Sequence, residues 1–389
     1  QQMRDIFDWQ TRAGPDQRLD ALSLEQPELC GRAGGADHAP TAADQKRGKG
    51  AGREAVTNGK KRFDHAVKNG ANEIWIIWCI GNTANFKTGF LNQYVHMIEM
   101  SAIGALNAEL AEIKRINKLI KEGETPFGHS TQVKVHLVKP PMPIPLDPDY
   151  VSGKVSGNAL VDQGYMDASK YLASKTASGI ALDVKATQTP IAKPGLSFRE
   201  SMKGRISFYS QSPQEGAQDD NAIPVTLNAT INIRDIKAFV ADPEHRSKMV
   251  AHLYSPRLGS ILPATESNFQ LFSPTDDPKH VEMVYEVGFN YKDKPHWFSG
   301  RKAVRRGPPW RLWQETTTLY VKIHEGHSTS GNVIGAGVLR LGIFDFMKLI
   351  TTVYARDCVG VVGKLKSIAC FAGFFLSQLW KYYGLGYRK

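Results

Sequence analysis

The sequence predicts two folded regions in series, an α/β unit followed by a mainly antiparallel β region that closes on C-terminal helices. Three observations predict it. The apolar run EIWIIWCI (73–80) is followed by an apolar stripe of helical period over 91–121 and a second short strand over 132–140. Beyond residue 195 the apolar period shortens to two. Two final segments, 344–355 and 359–383, return to helical spacing.

Residues 1–53 are rich in Gly, Ala, Asp and Arg with little periodicity, and are expected to be a low-order or truncated N-terminal segment. The α/β unit is placed at 54–186. Phe63, Ala66 and Val67 mark a short helix that stops at Asn69-Gly70. The strand 73–80 carries apolar residues on both faces, as in a covered parallel sheet, so Trp75, Trp78 and Cys79 are expected in the core. Gly81-Asn82 falls at the carboxyl end of that strand, where α/β sheets gather ligands.

The helix over 91–121 is expected to bury a stripe through Tyr94, Val95, Ile98, Ala102, Ala105, Leu106, Leu110 and Ile113, and to stop at Gly123. The next strand places Val133, Val135 and Leu137 on one face. After the proline-rich loop PPMPIPLDPD comes a helix over 155–174, with Leu160, Val161, Gly164, Tyr165, Ala168 and Leu172 facing inward.

TQTPIAKPG (187–195) reads as a linker, and 196–389 as a β-rich accessory domain with two C-terminal helices. Alternation is clear in VTLNATINI (225–233), VEMVYEVGFNY (281–291), TTTLYVKIHE (316–325) and NVIGAGVLRL (332–341). A sandwich or a strongly curved sheet follows. The final helix is expected to pack on that sheet, with Cys370 buried.

The chain has 389 residues, 41% of them hydrophobic and 22% charged, with a formal charge of +11. That balance favours anionic partners, a phospholipid surface or nucleic acid. Cys30, Cys79, Cys358 and Cys370 form no C-x-x-C and no metal-ligand spacing with histidine, and no dinucleotide fingerprint occurs, so no metal or cofactor is expected. No signal peptide is visible, and the apolar run 368–380 is too short to span a bilayer. A cytoplasmic chain, or one peripheral to a membrane, is the expectation.

The strongest partner-binding character lies in RKAVRRGPPWRLW (301–313), where Arg301, Lys302, Arg305, Arg306 and Arg311 interleave with Trp310 and Trp313. Arginine beside tryptophan suits a lipid headgroup boundary, and also phosphates with stacked bases. The alternative is an exposed hairpin whose tryptophans pack on a sheet edge. EGHSTSGN (325–332) reads as a polar hairpin loop, since it joins two strands and lacks the strand-to-helix elbow of a serine nucleophile.

EAVTNG (54–59), FDHAVKNGANEIWIIWCIGNTANF (63–86), LNQYVHMIEMSAIGALNAELA (91–111) and PLDPDYVSGKVSGNALVDQGYMDASKYL (145–172) together resemble the C-terminal half of a patatin-like phospholipase domain. The resemblance implies a three-layer α/β/α fold, of which this chain holds part. It also implies hydrolysis of lipid acyl esters by a Ser–Asp dyad, the serine in Gly-x-Ser-x-Gly. No such motif occurs here. Arg53 stands where the dyad aspartate belongs and Glu54 where a glycine does, and a guanidinium cannot act as a general base.

The block 195–384 is similar to an accessory domain of bacterial lipid- and sterol-acting proteins, including some glucose–methanol–choline oxidoreductases. The expectation is therefore a member or fragment of a lipid acyl hydrolase family without a catalytic residue of its own. The alternatives are a lipid- or partner-binding protein acting through 301–313, and a basic nucleic-acid binder.

Overall fold

The computed structural model describes residues 66–79, 90–141, 156–189 and 193–384. Arg53, Glu54, Gly81 and Asn82 lie outside them. The described chain divides into two compact units. One gathers the residues up to Ile77 with Gly104–Leu137 and Lys175–Thr187; the other holds Trp78–Ile103, Val138–Ser174 and everything from Gln188.

In the first unit the helical turn 66–68 ends where Gly70 adopts φ +89°. Gly70 N–H donates to Val67 O and Ala71 N–H to Ala66 O, the paired bonds that glycine's left-handed conformation permits. Strand β1 (Glu73–Ile77) pairs with β2 (Lys134–Val138). Lys134 N–H bonds Asn72 O and Trp78 N–H bonds Val138 O, one constant register, so the pair is parallel. β2 is buried from Val135 to Val138, but β1 is only half-buried and Ile77 is 65% exposed. The expectation that both faces of β1 are covered therefore fails among the described residues: no residue of β1 is fully buried, and Cys79 just beyond it is exposed. Trp75 stacks on the buried His136 ring at 4.2 Å, and its indole N–H donates to Glu73.

Helix α1 (Phe90–Lys121) buries Ile103, Leu106, Leu110, Ile113 and Ile116. Leu106, Leu110 and Ile113 are buried as the spacing suggests, whereas Tyr94, Ile98 and Ala105, expected on the same stripe, stand exposed. Asn117 clamps the buried face to β2 by exchanging two hydrogen bonds with the Val133 backbone, at 2.7 and 2.8 Å.

The second unit contains helix α2 (Gly157–Ser174) and the barrel. The short helix α3 (Val184–Thr187) closes the first unit and precedes it in the chain. The barrel strands are β3 (Gly195–Ser207), β4 (Ile223–Ile233), β5 (Arg246–Ser255), β6 (Ser260–Pro274), β7 (His280–Tyr291), β8 (Lys294–Arg305), β9 (Thr318–Glu325) and β10 (Val333–Arg340). Each pairs antiparallel with the next, and β10 returns to pair with β3 from Ala336↔Ser207 to Arg340↔Lys203. Of the two expected forms, a sandwich or a strongly curved sheet, the second is found, closed into an eight-stranded barrel, which removes the free edges. At the seam, a Cβ on Gly204 would lie 2.0 Å from Val338 O and one on Gly337 2.1 Å from Arg205 O. Glycine lets these backbones meet.

The interior is filled by the inward half of every strand, among them Leu196, Met202, Leu227, Ile231, Phe269, Val287, Phe298 and Val321. One rim carries the short connections, including the two-residue β7–β8 turn, where Lys292 and Asp293 both hold positive φ. The opposite rim carries the helices: α5 (Ile236–Ala241) after β4, α6 (Leu312–Thr317) between β8 and β9, α7 (Ile343–Thr352) after β10, and α8 (Gly360–Tyr383). Helix α4 (Pro213–Gln218) sits in the β3–β4 connection on the first rim. α7 packs on β3 beyond the end of β10, where Arg199 N–H donates to Thr352 Oγ1 at 2.9 Å. Strand β11 (Tyr354–Arg356) then pairs with the start of β3.

α2 lies against β5 and β6. Val161 and Gly164, expected inward, are exposed, whereas Asp162 is buried and its carboxylate meets His252 Nδ1 at 2.6 Å. A polar contact sets the docking face of this helix.

α8 is the one described helix long and apolar enough to cross a membrane by length and composition, 24 residues long with an 18-residue stretch of mean hydropathy 1.4. Its inner side is engaged in the barrel. Phe371 meets Phe198 and Phe239, Phe374 meets Phe239 and Phe272, and Phe375 meets Phe272. Cys370, expected buried, is exposed on the other side.

Candidate functional site

The basic and aromatic segment 301–313 is not a hairpin. It is the end of β8, a 3₁₀ turn at Pro309–Arg311 and the start of α6. Strand alternation splits its cations. Arg301 points out of the barrel and pairs with Glu282 at 3.2 Å and Glu286 at 3.4 Å. Lys302 points in and is 2% exposed, so it is corrected from a surface contact to an interior group.

Inside, Lys302 Nζ lies 2.5 Å from Glu200 Oε1, and the Tyr285 hydroxyl donates to Glu200 Oε2 at 2.7 Å. The ammonium also sits 4.9 Å from the Tyr285 ring centre. Burial, and next the Glu200 charge, hold the Tyr285 hydroxyl well above its usual range. The triad is a satisfied buried ion pair in an otherwise apolar barrel, and neither carboxylate oxygen is left over.

Past β8 the segment reaches the surface. The Arg305 side chain is exposed while its backbone N–H donates to Glu315 Oε2 at 2.8 Å. Arg306 is half-buried, its backbone bonded to Lys279 O. Arg311 pairs with Glu315 at 2.5 Å, and the Tyr383 hydroxyl donates to the same carboxylate at 2.6 Å. Burial and then that carboxylate push the Tyr383 hydroxyl up. Glu315 thus ties the segment to the end of α8, helped by Gly307 N–H donating to Tyr382 O. Trp310 is 77% exposed, and Trp313 is 41% exposed with its ring edge-on to Phe346 of α7 at 5.4 Å. The segment therefore bridges α7 and α8 on the helical rim.

The described serines offer no nucleophile of the expected kind. Ser207 donates to Asp219, but it is fully buried and accepts the Tyr209 N–H, which makes the pair a staple of the β3–β4 connection. Ser328 and Ser330 bond each other in the β9–β10 loop, as the sequence suggests. Ser201, Asn228, His252 and Asp162 form a hydrogen-bonded chain over β3, β4, β5 and α2. There Asn228 separates serine from imidazole and blocks direct proton transfer. No cluster able to hold a metal ion occurs among the described residues. An apolar cavity of about 30 Å³ opens at the short-connection rim between Leu253, Leu262, Phe289, His296 and Ile323, with room for little more than one water.

The sequence reading missed Glu200, Tyr285 and Asp162. Glu200 and Lys302 do carry a signal, for each occupies the inward phase of an otherwise apolar alternation, next to Phe198 and Met202 and to Phe298 and Val304. What alternation cannot reveal is that the two face each other across a barrel. In comparisons with known proteins, no family model, no curated protein and no solved structure matches this chain.

Proposed function

We propose that this chain is a lipid-associated protein, related to the patatin-like acyl hydrolases, that lacks ester hydrolysis and meets lipid at the surface formed by 305–313. One observation carries the lipid part: Arg305, Trp310 and Trp313 stand exposed together on one short connection while nearby carboxylates engage Arg301, Lys302 and Arg311. Exposed indoles with a neighbouring guanidinium match the chemistry of a headgroup boundary. Support for the family relation is the ordered resemblance over 54–174 and the parallel pairing of β1 with β2 beside a long helix. The loss of hydrolysis rests on the missing Gly-x-Ser-x-Gly and on Arg53.

Two measurements test the reading. A fluorophosphonate probe is expected to leave the full chain unlabelled, and stoichiometric labelling of one serine would overturn the loss of hydrolysis. Co-sedimentation with phosphatidylglycerol-containing vesicles is expected to fall at least about thirtyfold in Arg305→Glu/Arg306→Glu, given about 1 kcal/mol for each basic residue near an anionic surface. Unchanged sedimentation removes the segment as a lipid contact, and tight salt-sensitive oligonucleotide binding without vesicle binding would favour nucleic acid instead.

A further inference from the structure

The inner side of α8 has a clear task, but its outer side has none within the described chain. Val361, Leu365, Ala369, Ala372, Leu376 and Trp380 recur at steps of four, four, three, four and four residues. They form one stripe about 30 Å long at 1.5 Å per residue. All are exposed: Val361 73%, Leu365 60%, Leu376 64% and Trp380 68%, with both alanines open as well. Scattered apolar residues on a surface are ordinary, but a continuous stripe along a 24-residue helix is not.

Charge selects the occupant. α8 contains Lys364, Lys366 and Lys381 and no aspartate or glutamate. Lys364 and Lys366 flank the start of the stripe on either side and can send their ammonium groups sideways to phosphates while the stripe enters the acyl boundary. Crossing the bilayer fits worse, because it would strip Phe374 from the core and break the contacts of Phe371 and Phe375 with Phe198, Phe239 and Phe272. Other exposed apolar residues stand on elements linked to α8 at the same helical rim. α8 is tied to the 305–313 segment through Tyr383 and Glu315, and that segment to α7 through Trp313 and Phe346. On α7, Ile343, Phe344, Met347 and Ile350 are exposed at 62%, 88%, 57% and 50%.

We propose that the outer face of α8 is a membrane-docking surface that lays this helix flat on an anionic bilayer, with the barrel's helical rim toward the lipid. The proposal rests on the lipid reading above and adds the helix that carries the apolar contact.

The test uses the full chain and vesicles of phosphatidylcholine with or without 30% phosphatidylglycerol. Leu365→Glu/Leu376→Glu changes two exposed positions, so its circular dichroism and urea midpoint should match the parent while vesicle binding drops at least about tenfold. Lys364→Gln/Lys366→Gln should lose most of the preference for anionic over neutral vesicles and keep the residual binding to neutral ones. Parental binding by the leucine variant, with loss of binding on Arg305→Glu/Arg306→Glu, would overturn the α8 surface and leave the lipid reading standing. A parent chain that sediments with no vesicle overturns both. A dimer by light scattering that the leucine variant dissociates, with no vesicle binding by either, would assign the face to a second copy.

Discussion

Lys302 shows what a single position in a strand decides. Its neighbour Arg301 is a solvated surface cation held by two glutamates, while Lys302, one residue on and facing the opposite way, is sealed with Glu200 and Tyr285. Composition treats the two as equivalent members of a basic cluster; the pleat makes them opposites. Removing one member of a buried pair leaves an uncompensated charge, so Lys302→Met should destabilise the barrel by about 3–5 kcal/mol in urea unfolding. Replacing the group together, as Lys302→Met/Glu200→Leu/Tyr285→Phe, should recover most of that loss, because apolar side chains of similar volume repack such sites without the desolvation cost. A Lys302→Met chain as stable as the parent would show that the interior admits water to the carboxylate.

Helix α2 illustrates a decision at the level of an element. Its apolar pattern pointed to one inward face, yet the helix turns Asp162 to His252 and leaves Val161 exposed. One turn further, burial raises Asp167 to about 7, against the opposing Gln163 hydrogen bond and the charges of Arg234 and Lys170. Between the ordinary carboxylate range and pH 7 the folded state holds a proton that the unfolded chain has released. Asp167 therefore lowers stability as the pH climbs through that window. Asp167→Asn should remove this penalty, raising Tm relative to the parent by several degrees at pH 8 and by little at pH 4. An equal shift at both pH values would separate the effect from the ionisation. α1 teaches the same lesson: its existence, its stop near Gly123 and the burial of Leu106, Leu110 and Ile113 are written in the spacing, whereas the exposure of Tyr94 and Ile98 is not.

At the scale of the whole molecule, closure is the central event. Eight strands in sequential order could remain an open sheet, a sandwich or a barrel, and alternation reads alike in all three. The barrel closes where Gly204 and Gly337 let β3 and β10 approach, and α7 covers the part of β3 that β10 leaves free. Gly204→Val should cost about 2–3 kcal/mol or more by forcing that seam apart. It should also raise protease sensitivity within β3 and β10 before the other strands. Cleavage distributed evenly over the barrel would argue that the seam does not control closure.

The sequence by itself determined a set of elements and some of their ends: the caps at Gly70 and Gly123, the cleanly alternating strands β4, β7, β9 and β10, and the helical character of the two final segments. These are local properties, set by backbone preferences and by apolar period within one segment. Only the tertiary structure decided that β3 and β10 meet, that Lys302 faces inward to Glu200 while Trp310 faces out, and that α8 has two apolar sides of which the barrel covers one. Each is a relation between residues far apart in the chain, and no pattern along a segment records what lies across from it.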